Sequence, residues 1–317
     1  MKKHIWAVCF SAALIAFTVY IALDTFVIPR VYNSNATELN TSMFSNISKK
    51  ALSNSQPASQ ASASGSNESD SGSSAAAASS DTSYSDDNIS VTLTEYYENN
   101  TKIYVADITL SSAEYLKTAF ANDTYGKNVT ATTSSTAQAN NAVLAINGDY
   151  YGVQESGYVI RNGVVYRNTA KGSDVLCIYA NGTMEVVSDG DFTAEELVSK
   201  GVWQAFTFGP SLVENGTVTV GVNDEVGKAM ASNPRTAVGI IDTNHFVFVV
   251  SDGRTSESSG LSLYELAQFM KGLGVKTAYN LDGGGSSTMY FNGRVVNNPT
   301  SGRSIKERGV RDIVYIG

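Results

Sequence analysis

Three aspartates, Asp149, Asp252 and Asp282, each stand beside a glycine where a run of apolar and β-branched residues stops. Carboxylates gathered from strand ends suit glycosidic hydrolysis, in which one serves as acid or base and another as nucleophile or activator of water. Asp282 opens the most informative of these places, Asp282-Gly283-Gly284-Gly285-Ser286-Ser287, where three glycines and two serines follow a strand-like segment. Consecutive glycines permit turns that aim several N–H groups at one anion, and the hydroxyls add donors, so a phosphate is the expected guest. No Gly-Lys-Ser/Thr follows, which excludes a Walker A loop. Arg235, Arg254 and Arg303, in the segments Asn233-Pro234-Arg235-Thr236, Ser251-Asp252-Gly253-Arg254 and Ser301-Gly302-Arg303, are fork-shaped partners for phosphate oxygens. Asn147 in Asn147-Gly148-Asp149-Tyr150-Tyr151 completes the polar set. Trp203, Phe206 and Phe208 precede Gly209-Pro210; a shelf stacking on a sugar is conceivable there, with core packing the expected role.

Other chemistries are poorly served. His4 and His245 are the two histidines, so a Ser-His-Asp or Cys-His relay would run through His245 alone, and no companion stands at metal-ligand spacing. No metal and no cofactor is expected. Cys9 and Cys177 are not expected to meet in a disulfide. Residues 89–317 hold 17 Lys and Arg against 23 Asp and Glu, which leaves no basic stripe for a nucleic-acid backbone.

These groups need a scaffold. Asn162-Gly163, Asn181-Gly182, Asn215-Gly216 and Asn292-Gly293 each separate stretches rich in Val, Tyr, Ile or Phe, the signal of type I′ hairpins. Residues 89–97 and 102–110 pair around Glu98-Asn99-Asn100-Thr101, and residues 237–241 and 246–251 around Asp242-Thr243-Asn244. Capping boxes at Ser111/Glu114, Thr193/Glu196 and Ser262/Glu265 predict three helices. The last ends at Gly272 or Gly274 and buries Leu263, Leu266, Ala267 and Met270. The expected architecture is α+β: one large domain, residues 89–317, with twisted, mostly antiparallel or mixed sheets and a few helices.

Residues 5–23 carry no charge and, at 1.5 Å per residue, span about 28 Å, close to the hydrocarbon thickness of a bilayer. Lys2 and Lys3 precede them and Asp24 follows, so residues 1–30 read as a cytoplasmic stub and signal anchor that keeps the N-terminus inside and sends the rest out. Residues 31–88 read as a disordered linker: residues 53–80 hold twelve Ser and seven Ala and, Pro57 apart, no larger apolar side chain, too little burial to offset ordering. As a flexible coil this tether reaches ~40 Å.

Taken in order, the segments AINGDYY, FGPSLVENG, NPRTAVGI, VSDGR, GLSLYELAQFM, YNLDGGGSSTMYFNG and RSIKERGVRDIVYIG resemble the phosphodiester glycosidase family, over roughly residues 90–317. The resemblance implies an α+β scaffold and hydrolysis of a sugar-1-phosphate diester to free sugar and phosphomonoester. It implies a site built from the NGDYY, NPRT, SDGR and LDGGGSS segments: Asp282, Asp252 and Asp149 catalytic, with Asn147, Arg235, Arg254, Gly283, Gly284, Gly285, Ser286, Ser287 and Arg303 on substrate and phosphate. The disulfide-linked additions of animal members are missing, and the anchor stands at the N-terminus. The expected setting is therefore a cell envelope, with a phosphate-linked cell-surface glycan as substrate and the membrane as the other partner. Two rival readings are a non-catalytic envelope protein that binds anionic glycans during exopolysaccharide assembly, and a phosphodiesterase that cuts the P–O bond.

Overall fold

The computed structural model describes residues 5–32, 78–224, 232–302 and 304–317. Four α-helices are found among them: α1, Ile5–Phe26; α2, Thr133–Ala139; α3, Ala194–Ser199; and α4, Leu263–Gly272. The remainder is mainly strand, and every strand pair among the described residues is antiparallel.

Three sheets carry the domain. The largest has nine strands in the order Thr217–Val218, Ser211–Glu214, Thr277–Asn280, Arg235–Asp242, His245–Ser251, Thr101–Leu110, Ile89–Glu98, Ser83–Ser85 and Ala78–Ser79. One five-stranded sheet runs Arg294–Val295, Met289–Phe291, Leu144–Asn147, Asp312–Ile316 and Leu116–Phe120. The other runs Val164–Arg167, Val159–Arg161, Val202–Phe206, Asp174–Tyr179 and Met184–Ser188.

The period of two along each strand decides what each sheet covers. Phe246, Phe248 and Val250 enter a core shared by all three sheets with Ile146, Val314, Leu176 and Phe206. The alternating Val247 and Val249 instead meet Leu263, Leu266, Ala267 and Met270 of α4 on the other face of the large sheet. Helix α3 covers the sheet of Cys177 and Ala205, while α2 covers that of Ala145 and Ile313 through Ala137.

Local signals hold at most positions. Residues 99 and 100 both have positive φ, and Glu98 faces Thr101 across a two-residue turn. Asn162-Gly163, Asn215-Gly216 and Asn292-Gly293 likewise have positive φ at both residues, as a type I′ turn requires. At Asn181-Gly182 only the glycine does, because a longer connection joins Asp174–Tyr179 to Met184–Ser188. The capping boxes at Thr193 and Ser262 are formed with both reciprocal bonds. The one expected at Ser111 is not: Ser112 caps a single 3₁₀ turn, Ala113–Tyr115, which runs straight into a strand. The folded unit also starts before residue 89, since Ala78–Ser79 and Ser83–Ser85 already belong to the large sheet. Residues 33–77 of the expected linker lie outside the described residues.

A buried charge group fastens the two smaller sheets. Arg161 ends the strand Val159–Arg161 of one, and its Nε donates at 2.8 Å to Asp312 Oδ2, at the start of the strand Asp312–Ile316 of the other. Its Nη2 lies 3.1 Å from Asp149 Oδ2. Nη1 donates to the carbonyls of Ile160 and Ala205, and the guanidinium lies 4.2 Å over the Phe206 ring. Burial, reinforced by repulsion from Asp149 and opposed by Arg161, raises the Asp312 carboxyl above its ordinary range. The folded chain therefore keeps that proton where the unfolded chain has lost it. The associated stability is present below pH ~4 and is lost as pH rises through the elevated folded value. Arg161→Met should cost about 3–5 kcal/mol at pH 8, where two buried carboxylates lose their partner. The cost should be smaller at pH 5, where Asp312 takes up a proton; urea unfolding at both pH values measures it.

Candidate functional site

A cavity of about 610 Å³ lies where the strand Arg235–Asp242 begins and the strand Thr277–Asn280 ends. Tyr150, Gln154, Phe208, Asn233, Arg235, Arg254, Asn280, Leu281, Asp282, Gly283, Gly284 and Arg308 line it. A neighbouring hollow of about 750 Å³ shares Phe208, but among the described residues its lining contains Asp174, Glu214 and Asp224 and no Lys or Arg. An anionic guest favours the first, which offers three guanidinium groups to one carboxylate.

Asp282 is placed by backbone on both sides. The Leu281 N–H donates to Thr236 O at 2.9 Å, the Gly284 N–H donates to Pro234 O at 2.8 Å, and the Asn147 side-chain amide donates to the Asp282 carbonyl at 2.6 Å. Ser286 Oγ donates to Asp282 Oδ2 at 2.6 Å, and Arg308 Nη2 donates to the same oxygen at 3.1 Å while its Nε donates to Ser286 Oγ at 3.1 Å. Among the described residues no group hydrogen-bonds Asp282 Oδ1. Burial raises the Asp282 carboxyl above its ordinary value; the Arg308 charge and the bonds from Ser286 and Arg308 oppose the shift, and Asp149 adds a smaller repulsion.

Arg254 adopts a left-handed backbone, φ 63°, which a non-glycine residue holds only when its surroundings impose it. Its Nε and Nη2 donate to Asn233 Oδ1 at 3.1 and 2.9 Å, which aims the fork at the glycine loop. Gly284 meets it there: its φ is +61°, and a Cβ would stand 2.9 Å from Arg254 Nη2. Arg235 is almost wholly buried and its Nε donates to Leu261 O at 2.8 Å.

Of the aspartates expected to converge, only Asp282 lines the cavity. Asp149 is buried in the Arg161 group, and its Oδ1 accepts from the Tyr151 N–H at 3.0 Å. Asp252 is buried at the end of the strand His245–Ser251 and accepts from Asn298 N at 2.8 Å, Asn298 Nδ2 at 3.1 Å and Asn297 Nδ2 at 3.3 Å. It fastens residues 297–298 and does not reach the hollow. Part of the donor set expected of the glycine loop is engaged within the fold. Residues 284–286 form a 3₁₀ turn in which the N–H groups of Gly284, Ser286 and Ser287 are engaged by Pro234, Gly283 and Gly284 carbonyls. Gly285 and Ser287 are buried outside the lining, and Ser286 serves Asp282 instead. The cavity lining sets the guanidinium groups of Arg235, Arg254 and Arg308 beside Gly283 and Gly284.

Asn147 is buried outside the lining and acts on the site through the Asp282 backbone. Arg303 lies outside the described residues. Trp203 and Phe206 are core, as expected, whereas Phe208 is half-buried and reaches the cavity. His245 pairs with Asp107 Oδ1 at 3.0 Å on the surface of its hairpin.

Sequence reasoning missed Arg308 and Tyr150 as lining residues. Arg308 stands in a segment with Arg303, Lys306 and Arg311, and no local feature separates these cations. Tyr150 had a signal, the tyrosine pair after Asp149. Tyr151 turns into a cluster with Tyr125 and Phe120, while Tyr150 faces the hollow beneath the guanidinium of Arg311, 4.7 Å from the ring centroid.

The phosphodiester glycosidase profile matches residues 140–317, more than half of the chain and every described residue of this lining, so the chain belongs to that family. The SPbeta prophage-derived protein YomE of Bacillus subtilis (strain 168) is 30% identical over 196 residues, a match covering 58% of this chain and 29% of that protein. The human N-acetylglucosamine-1-phosphodiester alpha-N-acetylglucosaminidase is 29% identical over 194 residues, covering 54% of this chain and 36% of the enzyme. The chain thus spans about a third of the length of these relatives. The catalytic domain of the zebrafish enzyme shares the fold with a TM-score of 0.57 at 20% identity, over 72% of this chain and 82% of that one. A Synechocystis protein does so with a TM-score of 0.56 at 14% identity, over 73% and 62%.

Arg308 is one of the influences that hold the Asp282 proton affinity down. Arg308→Leu should therefore raise the Asp282 carboxyl further and move the acid limb of a kcat–pH profile toward higher pH, with the alkaline limb unmoved. Arg308→Lys should restore part of the shift.

Proposed function

We propose that this chain hydrolyses a sugar-1-phosphate diester of a cell-surface glycan, breaking the bond between the anomeric carbon and oxygen and leaving a phosphomonoester. The observation that carries the reading is the fixing of Asp282 Oδ2 by Ser286 and Arg308, with Oδ1 left without a bond among the described residues, in a cavity that also holds Arg235 and Arg254. The human relative is named for this type of linkage, and family membership supports the transfer.

The chemistry follows from the charges. As the C1–O bond breaks, positive charge develops on the sugar ring and the electron pair leaves on a phosphate oxygen. Guanidinium donors from Arg235 and Arg254 stabilise that departing oxygen, in a site where they need little reorganisation. A phosphate monoester is a weak base, so it leaves without a general acid, and a single carboxylate suffices where ordinary glycosidases use two. Asp282 Oδ1 takes the proton of the attacking water, and its raised proton affinity brings it nearer the pH range in which a general base works best. Tyr150 and Phe208 offer apolar faces against the sugar.

The setting is read from α1, an N-terminal helix long and apolar enough to cross a membrane. With Lys2 and Lys3 before it, an uncleaved anchor with the domain outside the cell is the topology that fits. The rival readings receive no comparable support: a mere glycan binder gives no reason for a half-buried carboxylate held by two donors.

Asp282→Asn should fold normally and lower kcat on a synthetic N-acetylglucosamine-1-phosphate diester by the ~10²–10⁴ typical of a lost acid–base group. Arg235→Ala should lower kcat and kcat/KM together, because its donors act on charge that develops as the bond breaks. Release of reducing sugar, with circular dichroism to check folding, measures both; unchanged turnover by Asp282→Asn would remove this residue from the mechanism.

A further inference from the structure

The segment that follows α1 is built into the domain. Residues 30–31 pair antiparallel with residues 126–127, Arg30 opposite Lys127 and Val31 opposite Gly126. The Tyr32 N–H donates to Tyr125 O at 3.0 Å, and the two rings lie 5.5 Å apart. Asn128, held at φ 57°, donates its side-chain amide to the carbonyls of Thr25 at 3.3 Å and Ile28 at 3.0 Å, where the last turn of α1 runs out of intrahelical partners. Gly126 admits the segment because it lacks a Cβ: one there would stand 2.2 Å from Arg30 O. The far side of residues 33–77 is also fastened. Asn292 Nδ2 donates to Ser79 Oγ at 2.7 Å and Ser80 O at 3.0 Å, and Arg294 Nη2 donates to Asp81 O at 3.0 Å.

We propose that residues 125–128 are a docking surface for the chain's own juxtamembrane segment, and that residues 30–32 strap the domain directly to the membrane end of α1. The separation between helix and domain is then set by residues 27–29, at most about 10 Å of extended chain, and not by residues 33–77, which as a free coil would allow ~40 Å. The strap leads to the site. Tyr125 stacks on Tyr151 at 5.1 Å, and the adjacent Tyr150 lines the cavity. This deepens the proposed function and rests on its membrane-anchor reading: the linkages within reach are those of phosphate-bearing glycans close to their own membrane attachment.

The test is a disulfide trap in the full-length chain in membranes, on a Cys9→Ser background, with a specific protease site placed within residues 33–77. Cys177 is buried and does not interfere. Directly opposed antiparallel residues have Cα atoms about 4.5–5.5 Å apart, within the span of a disulfide. Arg30→Cys with Lys127→Cys should therefore cross-link about tenfold or more faster than Arg30→Cys with Lys271→Cys on the exposed side of α4, since a docked pair needs no search through loop conformations. After protease cutting, the first pair should keep the domain joined to the membrane fragment on a non-reducing gel. Tyr32→Pro removes both the N–H and the ring, and should slow the first pair to the rate of the second. Equal rates for the two pairs in membrane-bound protein would overturn the strap while leaving the anchor intact. A mature chain that lacks α1 and leaves the membrane fraction would overturn the anchor reading, and the strap with it.

Discussion

The carboxamide of Asn147 is fully buried, and both of its ends are engaged by groups from distant parts of the chain. Its oxygen accepts from Thr236 Oγ1 at 2.9 Å and from the Thr288 N–H at 3.2 Å, while its nitrogen donates to the Asp282 carbonyl at 2.6 Å. Asn147 closes a strand of one sheet, and Thr236 belongs to another. Asp282 and Thr288 flank the glycine turn between them. One side chain therefore sets where the two sheets meet and where the Asp282 backbone lies. Leaving such a group without partners in the interior costs ~1–3 kcal/mol, so the three contacts stand or fall together. The position of the Asp282 carboxyl follows from this junction, and the bonds from Ser286 and Arg308 complete it.

Charge is distributed against the overall balance of the domain. Residues 89–317 are net acidic, yet the cavity brings together Arg235, Arg254 and Arg308 around one carboxylate. Two other aspartates of the strand ends are withdrawn from it: Asp149 shares Arg161 with Asp312, and Asp252 holds residues 297–298. Neither lines the hollow, whose charged lining residues among those described are Arg235, Arg254, Arg308 and Asp282. A cationic hollow of this kind suits the anionic ester proposed as substrate.

Much of this was legible in the sequence because the signals are local. A type I′ turn needs two residues of positive φ, so Asn-Gly and Asn99-Asn100 report hairpins directly, and a capping box is complete within four residues. Asp282 was visible for the same reason, as a strand end running into glycines. What was not legible depends on partners far along the chain. Asp149, Asp252 and Asp282 look alike beside their glycines; only the fold reveals that Arg161 buries the first and residues 297–298 occupy the second. Arg308 is one cation among several, distinguished only by Ser286 beside it in space. The N–H groups of Ser286 and Ser287 are engaged within the 3₁₀ turn and that of Gly284 by Pro234, and the strap at residues 30–32 carries no motif beyond a glycine at position 126.

The central claim is that Asp282 and the arginines cut between carbon and oxygen, not between phosphorus and oxygen. The most direct measurement is hydrolysis of a sugar-1-phosphate diester in ¹⁸O-enriched water, with mass spectrometry of both products after brief incubation. The account predicts label in the anomeric hydroxyl of the released sugar and none in the phosphomonoester. Label in the phosphate would contradict it.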